Sequence, residues 1–454
     1  MKDIPIIKTF IVNNKCFFYD TFSNRIYRVS KEHYRALLLL ENIGITDFLN
    51  MKHTDSAALD ICDMIGKGHI KGRFVEKIEH SQTADIPNLL ESCISYLLLQ
   101  VTKSCNYRCR YCVFASETTV ERHHSHDNMS WNIAKSGIDF LYQHSRDSNQ
   151  IALAFYGGEP LLNFEIIKRS VLYIESLFHT KNISYFLTTN ASLLKDRIID
   201  FFIEHHFLIT ISLDGPTDIQ NKHRLPIDKK TDAYQCVIDA ITAIRAKNAD
   251  YFRENVSFNS VLFPDENRSD IERFFQSKLK ISKNNYEIDY ADLRGIDYLP
   301  QSDYPESIAN PDHRDMLSKK EDERIRNLLE DHGFIYSHFH PNGPCIPGIV
   351  RLFLSTEGVF YPCEKAPEKS CVSIGSLEEG LNVDRITQFA NICQMTEAQC
   401  STCWAMRLCS MCVLKTVDYE KNCISVTEKM RYCQNTKKSI LESLKKEVMK
   451  HDFS

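Results

Sequence analysis

Three cysteines, Cys105, Cys109 and Cys112, stand in VTKSCNYRCRYC at CxxxCxxC spacing, with an aromatic residue, Tyr111, directly before the last. Three thiolates on one short loop can hold a [4Fe-4S] cluster and leave one iron free for an outside ligand, which suits catalysis better than electron storage. A structural zinc site would need a fourth ligand. HHSH at 123–126 could supply one, although a His-rich polar loop is more often solvated. A second set of thiols crowds the C-terminal third: Cys345, Cys363 in GVFYPC, then Cys400, Cys403, Cys409 and Cys412, and finally Cys433. Between the sets lie FYGGEP with Gly157, Gly158 and Glu159, LTTN ending at Asn190, SLDGP beginning at Ser212, and Arg224 in NKHR. Glycine is scarce, 15 residues in 454, so the adjacent pair Gly157–Gly158 marks a place where backbone must come close to something. An arginine fork suits a carboxylate. Glu364, next to Cys363, is placed to take the proton released when a thiol or hydroxyl is oxidised.

Strands and helices in alternation must position these groups. From about residue 94, the apolar runs ISYLLLQVT, QIALAFYGG, ISYFLTTN and FLITISLDG each end in Gly, Asn, Thr or Asp, and helix-like stretches such as WNIAKSGIDFLYQ and AYQCVIDAITAIRAK intervene. Such a βα repeat predicts a parallel α/β barrel with its polar groups at the strands' C-terminal ends. Upstream, IIKTFIV and KCFFYD joined by Asn-Asn, then TFSNRIYRV, predict hairpins, and helices follow Ser30 and Ser56. Residues 1–90 therefore read as a small α+β module. The Pro-rich stretch 298–320 reads as a linker before a helix, EDERIRNLLEDHG, and TKKSILESLKKEVMK as a solvated amphipathic helix.

Composition narrows the class. With 43% hydrophobic and 25% charged residues the chain buries an ordinary globular core. Lys and Arg number 55 against 60 Asp and Glu, a net charge of −5, so no global basic field makes nucleic acid the expected partner. No run of about 18 apolar residues and no signal-peptide order appears, so neither a membrane span nor export is expected, and the chain reads as cytoplasmic. In that setting 17 clustered cysteines favour metal or iron–sulfur ligation over disulfides.

The CxxxCxΦC loop after a strand resembles the signature of the radical SAM superfamily, and FYGGEP and SLDGP resemble further elements of it. The resemblance implies a [4Fe-4S] cluster on Cys105, Cys109 and Cys112 that binds S-adenosylmethionine. Reductive cleavage then yields a 5′-deoxyadenosyl radical. It also implies cofactor contacts from Tyr111, Gly157, Gly158, Glu159, Ser212 and Arg224. The C-terminal pattern is similar to a SPASM domain, implying two auxiliary [4Fe-4S] clusters: one on Cys345, Cys363 and Cys412, the other on Cys400, Cys403, Cys409 and Cys433. Two departures stand out. Cys409-Ser-Met-Cys412 closes one residue shorter than the common spacing, and the first auxiliary set has three ligands, which Cys371, Cys393, Cys423 or a substrate thiolate could complete. Cys16, Cys62, Cys93 and Cys236 are expected to be buried thiols. In sulfatase maturases the position of Glu364 carries an Asp proposed as proton acceptor, so Glu364 is the candidate base.

By order and position, residues 1–90 resemble a RiPP recognition element that captures a leader peptide on a sheet edge. The expected α/β architecture is a winged-helix-like module (1–90), a partial (β/α)6 radical SAM barrel (91–320) and a SPASM domain (321–454). The resemblance implies a peptide maturase acting on a cysteine-rich precursor, with a flavodoxin- or ferredoxin-like electron donor, that forms thioether links from Cys sulfur to carbon. Two other readings stand beside it. One is an anaerobic sulfatase-maturase-like enzyme forming formylglycine, and the other is a non-catalytic metal-binding scaffold.

Overall fold

The computed structural model describes residues 3–72, 75–112, 123–263, 265–290, 328–329, 338–341 and 345–450. The expected linker at 298–320, most of the helix after it and the boundary at 320 lie outside these residues. The chain opens with an antiparallel meander, β1 (Ile7–Val12), β2 (Lys15–Asp20) and β3 (Arg25–Val29), in the order β1-β2-β3. Its first turn is Asn13–Asn14, both at positive φ (48° and 59°), a conformation Asn tolerates and a two-residue hairpin needs. Helices Lys31–Ile43, Ile45–Asn50 and Ser56–Gly66 follow, the first and third capped by the Ser30 and Asp55 side chains. They cover one face of the meander with a core that includes Ile7, Phe18, Leu37, Leu40, Phe48 and Ile61.

The opposite face of the meander is buried as well. Phe10, Phe17 and Tyr19 pack on Ile440, Leu444 and Val448 of the 25-residue helix Val426–Lys450. That helix is amphipathic as expected, but one stripe of it closes over the N-terminal sheet instead of facing water. β4 (Lys77–Ile78) then leads through helix Ile86–Ser92 into the central sheet.

Six strands consecutive in the chain make up most of the parallel part of that sheet: β5 (Tyr96–Thr102), β6 (Gln150–Gly157), β7 (Asn182–Thr189), β8 (Leu208–Ser212), β9 (Val256–Leu262) and β10 (Tyr286–Tyr290). They lie side by side in chain order, each parallel to the next, with helices such as Trp131–Gln143, Phe164–Leu177 and Ala233–Lys247 between them. Leu97, Leu99 and Val101 of β5 join the large core with Ala134, Ile138 and Leu141, while Leu98 joins a second cluster with Ala154 and Phe353. Burial on both faces explains the near-continuous apolar runs that marked these strands in the sequence.

The sheet does not end at β5. After β11 (His338–Phe339), which pairs with β4, strand β12 (Leu352–Leu354) adds to β5 in parallel, with Leu352 opposite Leu97. β13 (Val359–Tyr361), β14 (Gly375–Ser376) and β15 (Gly380–Leu381) extend it antiparallel, giving ten strands. The cysteine-rich C-terminal part is thus built onto the parallel sheet.

Candidate functional site

The loop after β5 carries Cys105, Cys109 and Cys112, and its backbone is stitched to the segment that follows Arg224. The Arg108 N–H donates to the Leu225 carbonyl (2.7 Å), Arg110 to His223 (2.9 Å), and Ile227 back to Asn106 (3.0 Å). Tyr107 is buried beneath the loop and its N–H points at Cys105 Sγ (3.4 Å). Burial pushes the thiols of Cys105 and Cys109 up to about 12. Sulfur anions here therefore require a bound cation, since a coordinating thiol is deprotonated outright. From HHSH, His124 comes near: Nδ1 contacts the Lys103 carbonyl (3.2 Å) and Nε2 lies 3.8 Å from Cys112 Sγ.

The paired glycines have a steric reason within the chain. A Cβ on Gly157 would sit 2.2 Å from the Thr102 carbonyl oxygen, and one on Gly158 would sit 2.3 Å from that of Ser104 and 2.8 Å from Cys105 Cβ. Only glycine lets the end of β6 lie against the cysteine loop, where the Gly158 and Glu159 N–H groups donate to Thr102 and Ser104. The Glu159 carboxylate, almost fully buried, accepts from the Leu161 N–H (3.1 Å), Thr189 Oγ1 (2.7 Å) and the Asn190 N–H (2.8 Å). It ties the end of β6 to the end of β7. Burial outweighs these bonds and raises its pKa to about 7.

Arg224 is expected to offer its fork to a cofactor carboxylate; here Nε and Nη2 donate to the two oxygens of Asp214 (2.9 and 3.0 Å). Tyr111 Oη donates to the same carboxylate (2.8 Å), and the Arg224 Cζ lies 5.4 Å from the Tyr111 ring centre. Asp214 also accepts from the Val261 N–H (3.0 Å), so one buried carboxylate joins the cysteine loop, the end of β8 and β9. Sequence reasoning missed Asp214 although it quoted SLDGP around it. Ser212 stands half-buried at the end of β8, paired in register with Asn259, whose Oδ1 is buried with no hydrogen-bond partner among the described residues. That unfilled acceptor beside a serine, at the end of the sheet that carries the three thiols, suits a polar cofactor.

The C-terminal cysteines fall into groups. Cys400, Cys403, Cys409 and Cys433, expected together, line one cavity with Met406 and Met411. Cys393, Lys429 and Lys437 also line it, and the sequence reading did not place them there. Cys345, Cys363 and Cys412 are electrostatic neighbours: burial, Glu364 and the other two sulfurs push Cys363 up to about 11. Of the three cysteines that could complete this trio, Cys393 instead lines the cavity of Cys400, and Cys371 neighbours Cys423. Glu364 is paired with Arg351 through Oε1, while its Oε2 is buried without a partner. No three His, Cys, Asp or Glu side chains among the described residues converge on a point suited to one metal ion.

Residues 99–277, from β5 through the helix after β9, match the radical SAM superfamily. The chain carries a radical SAM domain. It is 24% identical to a cysteine-type anaerobic sulfatase-maturating enzyme of Clostridium novyi, over 60% of this chain and 73% of that one. It is 25% identical to the radical SAM cyclopropyl synthase TigE of Paramaledivibacter caminithermalis, over 38% of this chain and 36% of that one. Among solved structures, native anSMEcpe with bound AdoMet superposes with a TM-score of 0.55 at 18% identity, covering 79% of this chain and 98% of that one, which shows the fold. The radical SAM superfamily is one of catalysts that use a [4Fe-4S] cluster and S-adenosylmethionine, so this chain is an enzyme related to anaerobic sulfatase-maturating enzymes and to a radical SAM cyclopropyl synthase. Among the described residues no helix is long and apolar enough to cross a membrane.

Proposed function

We propose that Cys105, Cys109 and Cys112 hold the radical-generating cluster and that the enzyme forms thioether crosslinks in a ribosomally made, cysteine-rich precursor peptide. When bound, the cluster and S-adenosylmethionine supply a radical able to take a hydrogen atom from an unactivated carbon. The chain's own residues do the placing. Tyr111, Asp214 and Arg224 fix the cysteine loop against β8 and β9, Gly157 and Gly158 admit it against β6, and Ser212 and Asn259 offer polar contacts at the same strand ends. Cys345, Cys363 and Cys412 make a three-thiol set that leaves room for a peptide thiolate, with Glu364 beside it as proton acceptor. Cys400, Cys403, Cys409 and Cys433 hold the second auxiliary cluster, and a flavodoxin- or ferredoxin-like protein supplies electrons.

The observation that carries the reading is the N-terminal module. The anSMEcpe structure, matched over 98% of its length, covers 79% of this chain, and β1–β3 with the three helices form a unit with a core of its own. Among the described residues β3 is an edge strand with Arg25, Tyr27 and Arg28 exposed, and a leader peptide would add to it as a further strand. Formylglycine formation is the second reading, favoured by similarity to a sulfatase-maturating enzyme of Clostridium perfringens over 94% of that enzyme's length.

Mass spectrometry with thiol counting separates the two. Thioether formation exchanges an S–H and a C–H bond for a C–S bond, so the peptide loses two hydrogens and one free thiol but keeps its sulfur. Loss of sulfur with gain of a carbonyl would establish formylglycine instead, and an unaltered leader-bearing peptide would remove the thioether reading.

A further inference from the structure

Lys429 is fully buried, a costly place for an ammonium unless negative charge lies beside it. It projects from the first turn of helix Val426–Lys450 into the cavity of Cys400, Cys403, Cys409 and Cys433, where Nζ donates to Thr396 Oγ1 and to Cys400 Sγ (3.4 Å). The Thr396 hydroxyl also lies 3.4 Å from Cys400 Sγ, so this sulfur faces a hydroxyl and the buried ammonium together.

We propose that Lys429 is a positioning residue for an iron–sulfur cluster on Cys400, Cys403, Cys409 and Cys433, and that its buried ammonium raises that cluster's reduction potential. The proposal rests on the reading that these four cysteines hold a cluster. Reduction adds a negative charge, and an N–H donor plus a fixed positive charge at a ligating sulfur stabilises the reduced form more than the oxidised one. Low local dielectric makes the effect larger than it would be at the surface. Among the described residues Lys429 hydrogen-bonds the Thr396 hydroxyl and Cys400 Sγ and no acidic side chain, so its charge is directed at sulfur.

The test uses the full chain reconstituted anaerobically, as wild type, Lys429→Met, Lys429→Gln and Lys429→Arg, with iron and sulfide counted and midpoint potentials measured by electron paramagnetic resonance during redox titration. A Cys400→Ala/Cys433→Ala variant identifies the signal belonging to this cavity. Lys429→Met and Lys429→Gln are expected to move that midpoint to more negative potential, leaving the other signals in place, while Lys429→Arg stays near wild type. If the neutral variants fail to load this cluster and Arg loads it, the charge is required to hold the cluster, which upholds the role. An unchanged midpoint in fully loaded Lys429→Met, or failure of Lys429→Arg alongside the neutral variants, overturns it. If the double cysteine variant carries as much iron as wild type, the four-ligand reading is what has failed.

Discussion

Asp214 grips Arg224 side-on, receiving Nε at Oδ2 (2.9 Å) and Nη2 at Oδ1 (3.0 Å) while also accepting from Tyr111 Oη. Asp214 is inaccessible to solvent and Arg224 nearly so. A bidentate pair at this depth is neutral overall, and removing one partner strands the other charge. The segment it fixes, residues 223–227, is the one that hydrogen-bonds the cysteine loop.

Asp214→Asn is therefore expected to cost about 3–5 kcal/mol of unfolding free energy, the usual penalty for breaking a buried pair. Arg224→Met combined with Asp214→Asn should recover part of that loss. Urea unfolding of the metal-free chain measures both, and an additive double variant would show that the two side chains act independently.

Gly158→Ala places a methyl where the Ser104 carbonyl and Cys105 Cβ lie. The cysteine loop must shift, and a displacement near 1 Å at a reacting centre costs about a hundredfold in rate. Deoxyadenosine formation should fall by that order while the circular dichroism spectrum stays native-like. Full activity in the alanine variant would refute the steric reading of the glycine pair.

Much of this arrangement was legible in the sequence because its signals are local. Cys105, Cys109 and Cys112 announce themselves by spacing, Gly157–Gly158 by rarity, and the helices at 131–143 and 233–247 by periodicity. What was not legible comes from distant segments meeting. Lys429 reaches Cys400 from the first turn of a helix of which the sequence suggested only residues 436–450, and β12 finds the free edge of β5 some 250 residues after it leaves the ribosome. The second buried face of the N-terminal meander had a signal that went unused: KCFFYD is apolar at consecutive positions, the mark of a strand covered on both sides.

Phe17 is buried between that meander and helix Val426–Lys450. Phe17→Ala should cost about 3–5 kcal/mol, as for other core aromatics. The N-terminal module is thus bound to the C-terminal part, and deleting residues 1–90 would uncover Ile440 and Leu444 as well as remove a binding surface. Calorimetry of the point variant checks the packing without that complication, and a loss under about 1 kcal/mol would contradict it.

Glu159 gives stability a pH dependence. Burial raises its folded pKa to about 7, so the folded chain holds the proton more tightly than the unfolded chain does. Its contribution is fully present below the ordinary glutamate pKa of about 4.3 and is lost as pH rises toward about 7. The stability of Glu159→Gln relative to wild type should rise across that window and level off above it. Parallel curves for the two proteins would show that the carboxyl does not titrate there.

The central claim is that the thiols after β5 hold the cluster that generates the radical. Anaerobic reconstitution, iron and sulfide counting, and detection of 5′-deoxyadenosine, comparing wild type with Cys105→Ala/Cys109→Ala/Cys112→Ala, test it most directly. The account predicts about twelve irons in wild type, about four fewer in the variant, and deoxyadenosine in the wild type alone. Deoxyadenosine from the triple variant, or zinc without cleavage in the wild type, would contradict it.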